Sequence, residues 1–137
     1  MTDNIGSEQT GKRSPMPAKR IEDFTDLVVW QVAHELVLNI YRVTKTFPED
    51  EKFGLVNQMR RAGVSVAANI AEGFKKGSVK AKVQFYVISQ TSLEEVRYYL
   101  ILAKDLNYCR ETDKLLTLCN RVAKMLSALI KSAPAKP

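Results

Sequence analysis

A chain of 137 residues can fill one hydrophobic core and is too short for two comfortable ones. Its 45% hydrophobic and 26% charged residues, with only 6 Gly and 5 Pro, exclude a disordered polyelectrolyte and a turn-rich all-β chain. The net charge of +6 points to a polyanionic partner or a solvated surface, and no uncharged apolar run approaches ~18 residues, so no membrane span is expected.

Residues 1–22 have no apolar period and mix Gly, Pro and polar side chains, so a flexible polar tail is expected there. Four helices follow over 23–132, and a disordered end is expected over 133–137. No apolar leader core precedes them, and Cys109 and Cys119 are the only cysteines, which suits a reduced cytoplasmic protein.

The first helix is expected over about 27–47, capped by Thr25 or Asp26 and stopped by Pro48. Val29, Ala33, Leu36, Ile40, Val43 and Phe47 form its stripe, and Leu27, Trp30, His34, Val37 and Tyr41 form a second line beside it. The second helix is expected over about 49–72, with Leu55, Met59, Ala62, Val66 and Asn69 in its stripe and Gly73 as the residue just past its end. Ser78 can cap a third helix over about 79–106, roughly 40 Å long at 1.5 Å per residue. That helix carries apolar residues on two faces, Val83, Val87 and Leu100 on one and Phe85, Ile88, Val96, Tyr99 and Leu106 on the other. In a small bundle no helix is central, so a helix apolar on two faces implies a homo-oligomer, with Val87, Tyr99 and Trp30 as candidate interface residues. A fourth helix over about 112–131 has a heptad-like stripe of Leu115, Leu118, Val122, Met125 or Leu126, and Leu129. Short connections make the whole an all-α, antiparallel up-down-up-down four-helix bundle.

The stretch "MRRAGVSVAANIAEGFKKGS" combines small residues with charge. Antiparallel pairing across the turn at Pro48 sets Trp30 against Ala67 and His34 against Gly63, so the small residues read first as packing. Between Met59 and Lys82 six cations, Arg60, Arg61, Lys75, Lys76, Lys80 and Lys82, face Glu72 alone. Arg60 and Arg61 fall near Glu94 and Glu95 and can be consumed by them, whereas the four lysines have no evident partner and are the better candidates for phosphate contacts. Asn69 and Glu72 are either a register-fixing polar pair or part of a ligand site.

Catalytic and metal signatures are missing. His34 is the only histidine, no Glu-x-x-His motif occurs, and Cys109 and Cys119 are ten apart without a neighbouring His. No phosphate-binding glycine loop or nucleophile elbow is present, so no enzyme, metal or cofactor is expected.

The blocks "FTDLVVWQVAHELVLNIYRVTKTFP", "FGLVNQMRRAGVSVAANIAEGF" and "QTSLEEVRYYLILAKDLNY" resemble the four-helix bundle family encoded in intervening sequences of bacterial large-subunit ribosomal RNA genes. Ala67 departs from the family, which often carries Pro there. The resemblance implies a bundle able to form ring-shaped homopentamers. It is also similar to the accessory protein of diversity-generating retroelements, which implies nucleic acid, RNA or DNA, and a partner enzyme as possible partners. A protein–protein scaffold is the alternative function.

Overall fold

Residues 20–133 are described by the structure, a computed structural model. They form α1 (Val28–Thr44), α2 (Leu55–Lys75), α3 (Val79–Asp105) and α4 (Thr112–Ser132), with single 3-10 turns at Phe24–Asp26 and Glu49–Glu51. Each helix packs on its chain neighbours, α1 also packs on α4, and the backbones of the diagonal pairs α1–α3 and α2–α4 do not approach closely. That is the antiparallel up-down-up-down bundle. The tail expected over 1–22 lies outside the described residues as far as residue 19, as does the expected disordered end from residue 134.

The helix starts differ from the expectation for a local reason. Asp23 accepts hydrogen bonds from the Thr25 amide (3.3 Å) and hydroxyl (2.7 Å), and Asp26 accepts from the Asp23 amide (3.1 Å). This capping box closes a 3-10 turn first, and α1 begins only at Val28. The Thr25 bonds hold the Asp23 carboxyl below the usual carboxylate range. Similarly, Glu49–Glu51 winds one separate turn, and Glu51 then caps α2 by accepting from the Leu55 amide at 3.1 Å. Phe47, expected inside α1, sits beyond its end, buried against Tyr108 with ring centroids 5.5 Å apart.

Leu36 and Ile40 from α1, Met59 and Ile70 from α2, Leu93, Val96 and Leu100 from α3, and Leu115, Val122 and Leu126 from α4 close the core. The stripes expected for α1 and α4 enter it, with Leu129 half-buried at its edge. In α3 the seam is Tyr86, Ser89, Leu93, Val96, Leu100 and Ala103 instead. The two apolar lines read from the sequence flank this seam for the most part. Two serines hide it: Ser89 donates to the Val66 carbonyl at 2.7 Å, and Ser92 shares a 2.7 Å hydroxyl bond with Ser65. Small hydroxyls allow α2 and α3 to approach closely while satisfying their own polarity.

Gly73 is not a helix terminator. α2 runs through it to Lys75, and Gly73 is buried, where an added Cβ would lie 2.5 Å from Tyr86 Cε1. Gly63 likewise makes room, for Ile40 Cδ1 rather than for His34. The α1–α2 register is therefore shifted by about one to two turns from the sequence-derived pairing. α3 ends at Asp105, and beyond it Asn107, with a φ of 61°, lets the Tyr108 amide reach back to the Ala103 carbonyl at 2.8 Å.

Candidate functional site

The turn between α2 and α3 presents four lysines whose environments differ. Ser78 caps α3 by accepting from the Ala81 amide at 3.2 Å, which fixes the direction in which α3 leaves the turn. Lys82 then folds back, and its ammonium donates to the carbonyls of Phe74 (2.7 Å) and Gly73 (3.3 Å) over the Phe74 ring. It satisfies carbonyls at the C-terminal end of α2, so it is not without a partner as the sequence suggested. Lys76 lies 3.9 Å from Glu72 and 4.9 Å from the Phe85 ring centroid, a loose and partly exposed arrangement. Lys75 and Lys80 are exposed and make no ion pair among the described residues.

Arg60 and Arg61 are neighbours with separate fates. Arg60 turns toward the end of α1, where its Nε donates to Thr44 Oγ1 at 2.9 Å, and its guanidinium stacks 4.5 Å from the Tyr41 ring centroid. The sequence had placed it near Glu94 and Glu95; Glu94 instead accepts from Arg97 at 2.9 Å, one turn along its own helix. Arg61 is exposed and makes no ion pair among the described residues. Fourteen residues separate Arg61 from Lys75, which returns to the same side of α2 about 21 Å further on.

A shallow trough of about 650 Å³ runs along α2 beside Arg60 and Arg61, lined also by Tyr41, Asn57, Ser65 and Asn69. Asn69 is half-buried rather than in the core, and its amide donates to the Ser65 carbonyl (2.8 Å) and hydroxyl (3.0 Å). Glu72 is exposed and lies outside this trough, so the structure does not join the two into one ligand site.

An adjoining depression contains Trp30, His34, Ala67 and Ala71. Trp30 meets Phe24 edge-on at 5.2 Å and stacks on His34 at 4.9 Å, and the imidazole is exposed. On α3, Val87, Ile88, Tyr98 and Ile101 are 42–56% exposed, while Tyr99 is half-buried against the core.

Burial pushes the Cys119 thiol up to about 12, so it remains a protonated core group. Among the described residues no group of three or more His, Cys, Asp or Glu is arranged to hold a metal ion. No helix among them is long and apolar enough to cross a membrane. Lys114, Arg121, Lys124 and Lys131 on α4 are exposed cations that the window from Met59 to Lys82 passed over. Their signal in the sequence is the absence of any acidic residue from Lys114 to Ser132.

These features define an all-α bundle with dispersed surface cations and a packed, chemically quiet interior. The family described as 23S rRNA-intervening sequence protein matches residues 25–128, and the chain belongs to that family. It is also similar to the crystal structure of a protein with unknown function from the S23 ribosomal protein family of Bacteroides thetaiotaomicron VPI-5482. That structure has a TM-score of 0.70 and 25% sequence identity, over 76% of this chain and 99% of the other. A search of curated proteins found no match. At Ala67, where Pro is frequent in the family by resemblance, α2 continues without interruption.

Proposed function

We propose that this protein is a non-enzymatic, cytoplasmic bundle that assembles with copies of itself and binds nucleic acid, RNA foremost, through phosphate contacts. The observation that carries the reading is the set Arg61, Lys75 and Lys80, which are exposed and without ion pairs among the described residues, while Arg42, Arg97 and Lys104 are each held by a carboxylate. Lys76 joins this set through its weak hold on Glu72. Arg60 and Lys82 serve the bundle instead, by finishing α1 and α2. The family description, which refers to intervening sequences of 23S rRNA, supports RNA as the first partner to test. Repetition of the cationic end in an oligomer, by resemblance a pentamer, raises avidity without any new contact.

A second reading, a scaffold that recruits a partner protein, is favoured by the outward apolar residues Val87, Tyr98 and Ile101 of α3. Tyr99 and Trp30 contribute less to either kind of interface, since both are half-buried within their own protomer.

The test is fluorescence anisotropy with a labelled structured RNA across a salt series, comparing wild type with Lys75→Glu/Lys80→Glu. Phosphate binding gives log K falling with log salt by about 0.7–0.9 per contact, so the double variant should flatten the slope by about 1.4–1.8. Absence of binding at low salt, with the bundle folded, refutes the nucleic-acid reading and leaves the scaffold.

A further inference from the structure

The outward face of α4 is a second cationic surface, carried by a helix that packs beside α3 and runs back toward the α2–α3 turn end of the bundle. α4 packs on α1 and α3, and its backbone does not approach α2 closely. From Lys114 to Ser132 the sequence holds no Asp or Glu, and Lys114, Arg121, Lys124 and Lys131 are all exposed. The row from Lys114 to Lys131 spans about 26 Å at 1.5 Å per residue.

Helix stability alone does not explain this composition. Opposite charges at i, i+3 or i, i+4 each contribute about 0.2–0.5 kcal/mol, and like charges cost a similar amount. Arg121 and Lys124 are a like pair of that kind. Lys131 benefits from the negative end of the helix dipole, but Lys114 sits in the first turn, at the positive end. The nearby carboxylates are hydrogen-bonded to other cations, although Glu111 also lies close enough to Lys114 to feel its charge. Asp113 accepts from Lys104 of α3 at 3.0 Å, and Glu111 takes a bidentate pair of bonds from Arg42 at 2.9 and 3.0 Å.

Between the cations the exposed side chains are Thr117, Asn120, Ser127 and Ala128. None can stack on a base, so a nucleic acid would be held here by its phosphates and not read by its sequence. The larger apolar side chains of α4 are buried or half-buried, Met125 and Leu129 at the edge beside Val28, so the cationic face itself offers no large apolar side chain to a lipid layer. A duplex carries one charge per ~1.7 Å of axis, dense enough to meet a row of cations at any register.

We propose that the outward face of α4, through Lys114, Arg121, Lys124 and Lys131, binds the phosphate backbone of double-stranded RNA without base readout. This rests on the nucleic-acid reading above and adds to it a second surface.

The experiment uses the full chain and a fluorescein-labelled RNA duplex of about 20 base pairs, titrated over about 50–200 mM salt. Wild type is compared with Arg121→Gln/Lys124→Gln and, in parallel, with Lys75→Gln/Lys80→Gln, each checked for helicity by circular dichroism. The proposal expects the α4 pair to flatten the slope by about 1.4–1.8, as the loss of two phosphate contacts requires. An unchanged slope in the α4 pair overturns it. If the turn pair flattens the slope in that case, the nucleic-acid reading stands without the second surface. If only the α4 pair acts, this surface stands and the turn-centred assignment falls. If wild type fails to bind at about 50 mM salt, both fall, and binding to phosphatidylserine vesicles without duplex RNA overturns the proposal in favour of an anionic lipid surface.

Discussion

Replacing Gly73 by Ala sets two opposing effects against each other at one site. In a helix interior Ala is better than Gly by about 0.8–1.0 kcal/mol. Here, however, the new Cβ would stand 2.5 Å from Tyr86 Cε1, 2.8 Å from Cδ1 and 3.2 Å from the Lys82 carbonyl oxygen. Comfortable carbon contacts lie at about 3.5–4.0 Å, so the ring must retreat by roughly an ångström. Tyr86 is only 3% exposed and has nowhere to swing. Overpacking of this kind costs about 1–3 kcal/mol, and a fully buried ring with a backbone carbonyl also close to the new Cβ belongs near the upper part of that range, which leaves a net loss of about 1–2 kcal/mol. Gly77 meets nothing within 4 Å, so Gly77→Ala should be neutral or gain up to about 1 kcal/mol. Gly63 meets the movable end of Ile40 at 2.8 Å and should fall between the two. Urea denaturation followed at the helical ellipticity, at one fixed protein concentration, gives the order. With a slope of about 2 kcal/mol/M, the middle of the usual urea range, the Gly73→Ala midpoint should drop by about 0.5–1 M. Tyr86→Leu removes the clashing ring, so Gly73→Ala should cost much less in that background. A Gly73→Ala variant as stable as wild type, or one whose loss Tyr86→Leu does not relieve, refutes the packing argument.

The arginine pair offers a contrast within two adjacent residues. Arg60→Ala loses the Thr44 bond and the Tyr41 stack and should cost about 1–2 kcal/mol, whereas Arg61→Ala should stay within about 0.5 kcal/mol in the same denaturation assay. Equal losses would show that the two side chains are not divided in this way. For the thiols, a disulfide exchange reagent near pH 8 should modify the half-buried Cys109 and spare Cys119 until the chain unfolds. Two native thiols reacting at one rate would contradict the burial of Cys119. The same group predicts a pH dependence. Because the folded thiol is raised to about 12, its protonated form is favoured by folding. That contribution is whole below the ordinary thiol value near 8.5 and declines toward pH 12 by about 1.4 kcal/mol per pH unit. In a comparison of stability against pH, Cys119→Ala should lack this component of the decline.

The sequence determined the class of fold and the greater part of the core. In α1 and α4 the apolar residues recur at the helical period without interruption, and Leu36, Ile40, Leu115 and Val122 are buried as that period requires. Ser78 at the start of α3 was legible for the same local reason, since a cap acts over three residues. What the tertiary structure decided are the roles of polar and small residues whose partners are distant in sequence. Ser89 and Ser92 lie in the α3 seam because α2 supplies a carbonyl and a hydroxyl to meet them, which no periodicity of apolar residues records. Gly73 has the appearance of a helix end until Tyr86 is seen packed against it. Lys82 reads as free charge in the sequence and Arg60 as a partner for Glu94 and Glu95, yet each is held at a helix end, Lys82 by the Phe74 and Gly73 carbonyls and Arg60 by the Thr44 hydroxyl, groups that only the fold brings within reach. Local propensity and hydrophobic period are properties of neighbouring residues, whereas the fate of a hydroxyl, a guanidinium or a missing Cβ depends on what the fold brings against it.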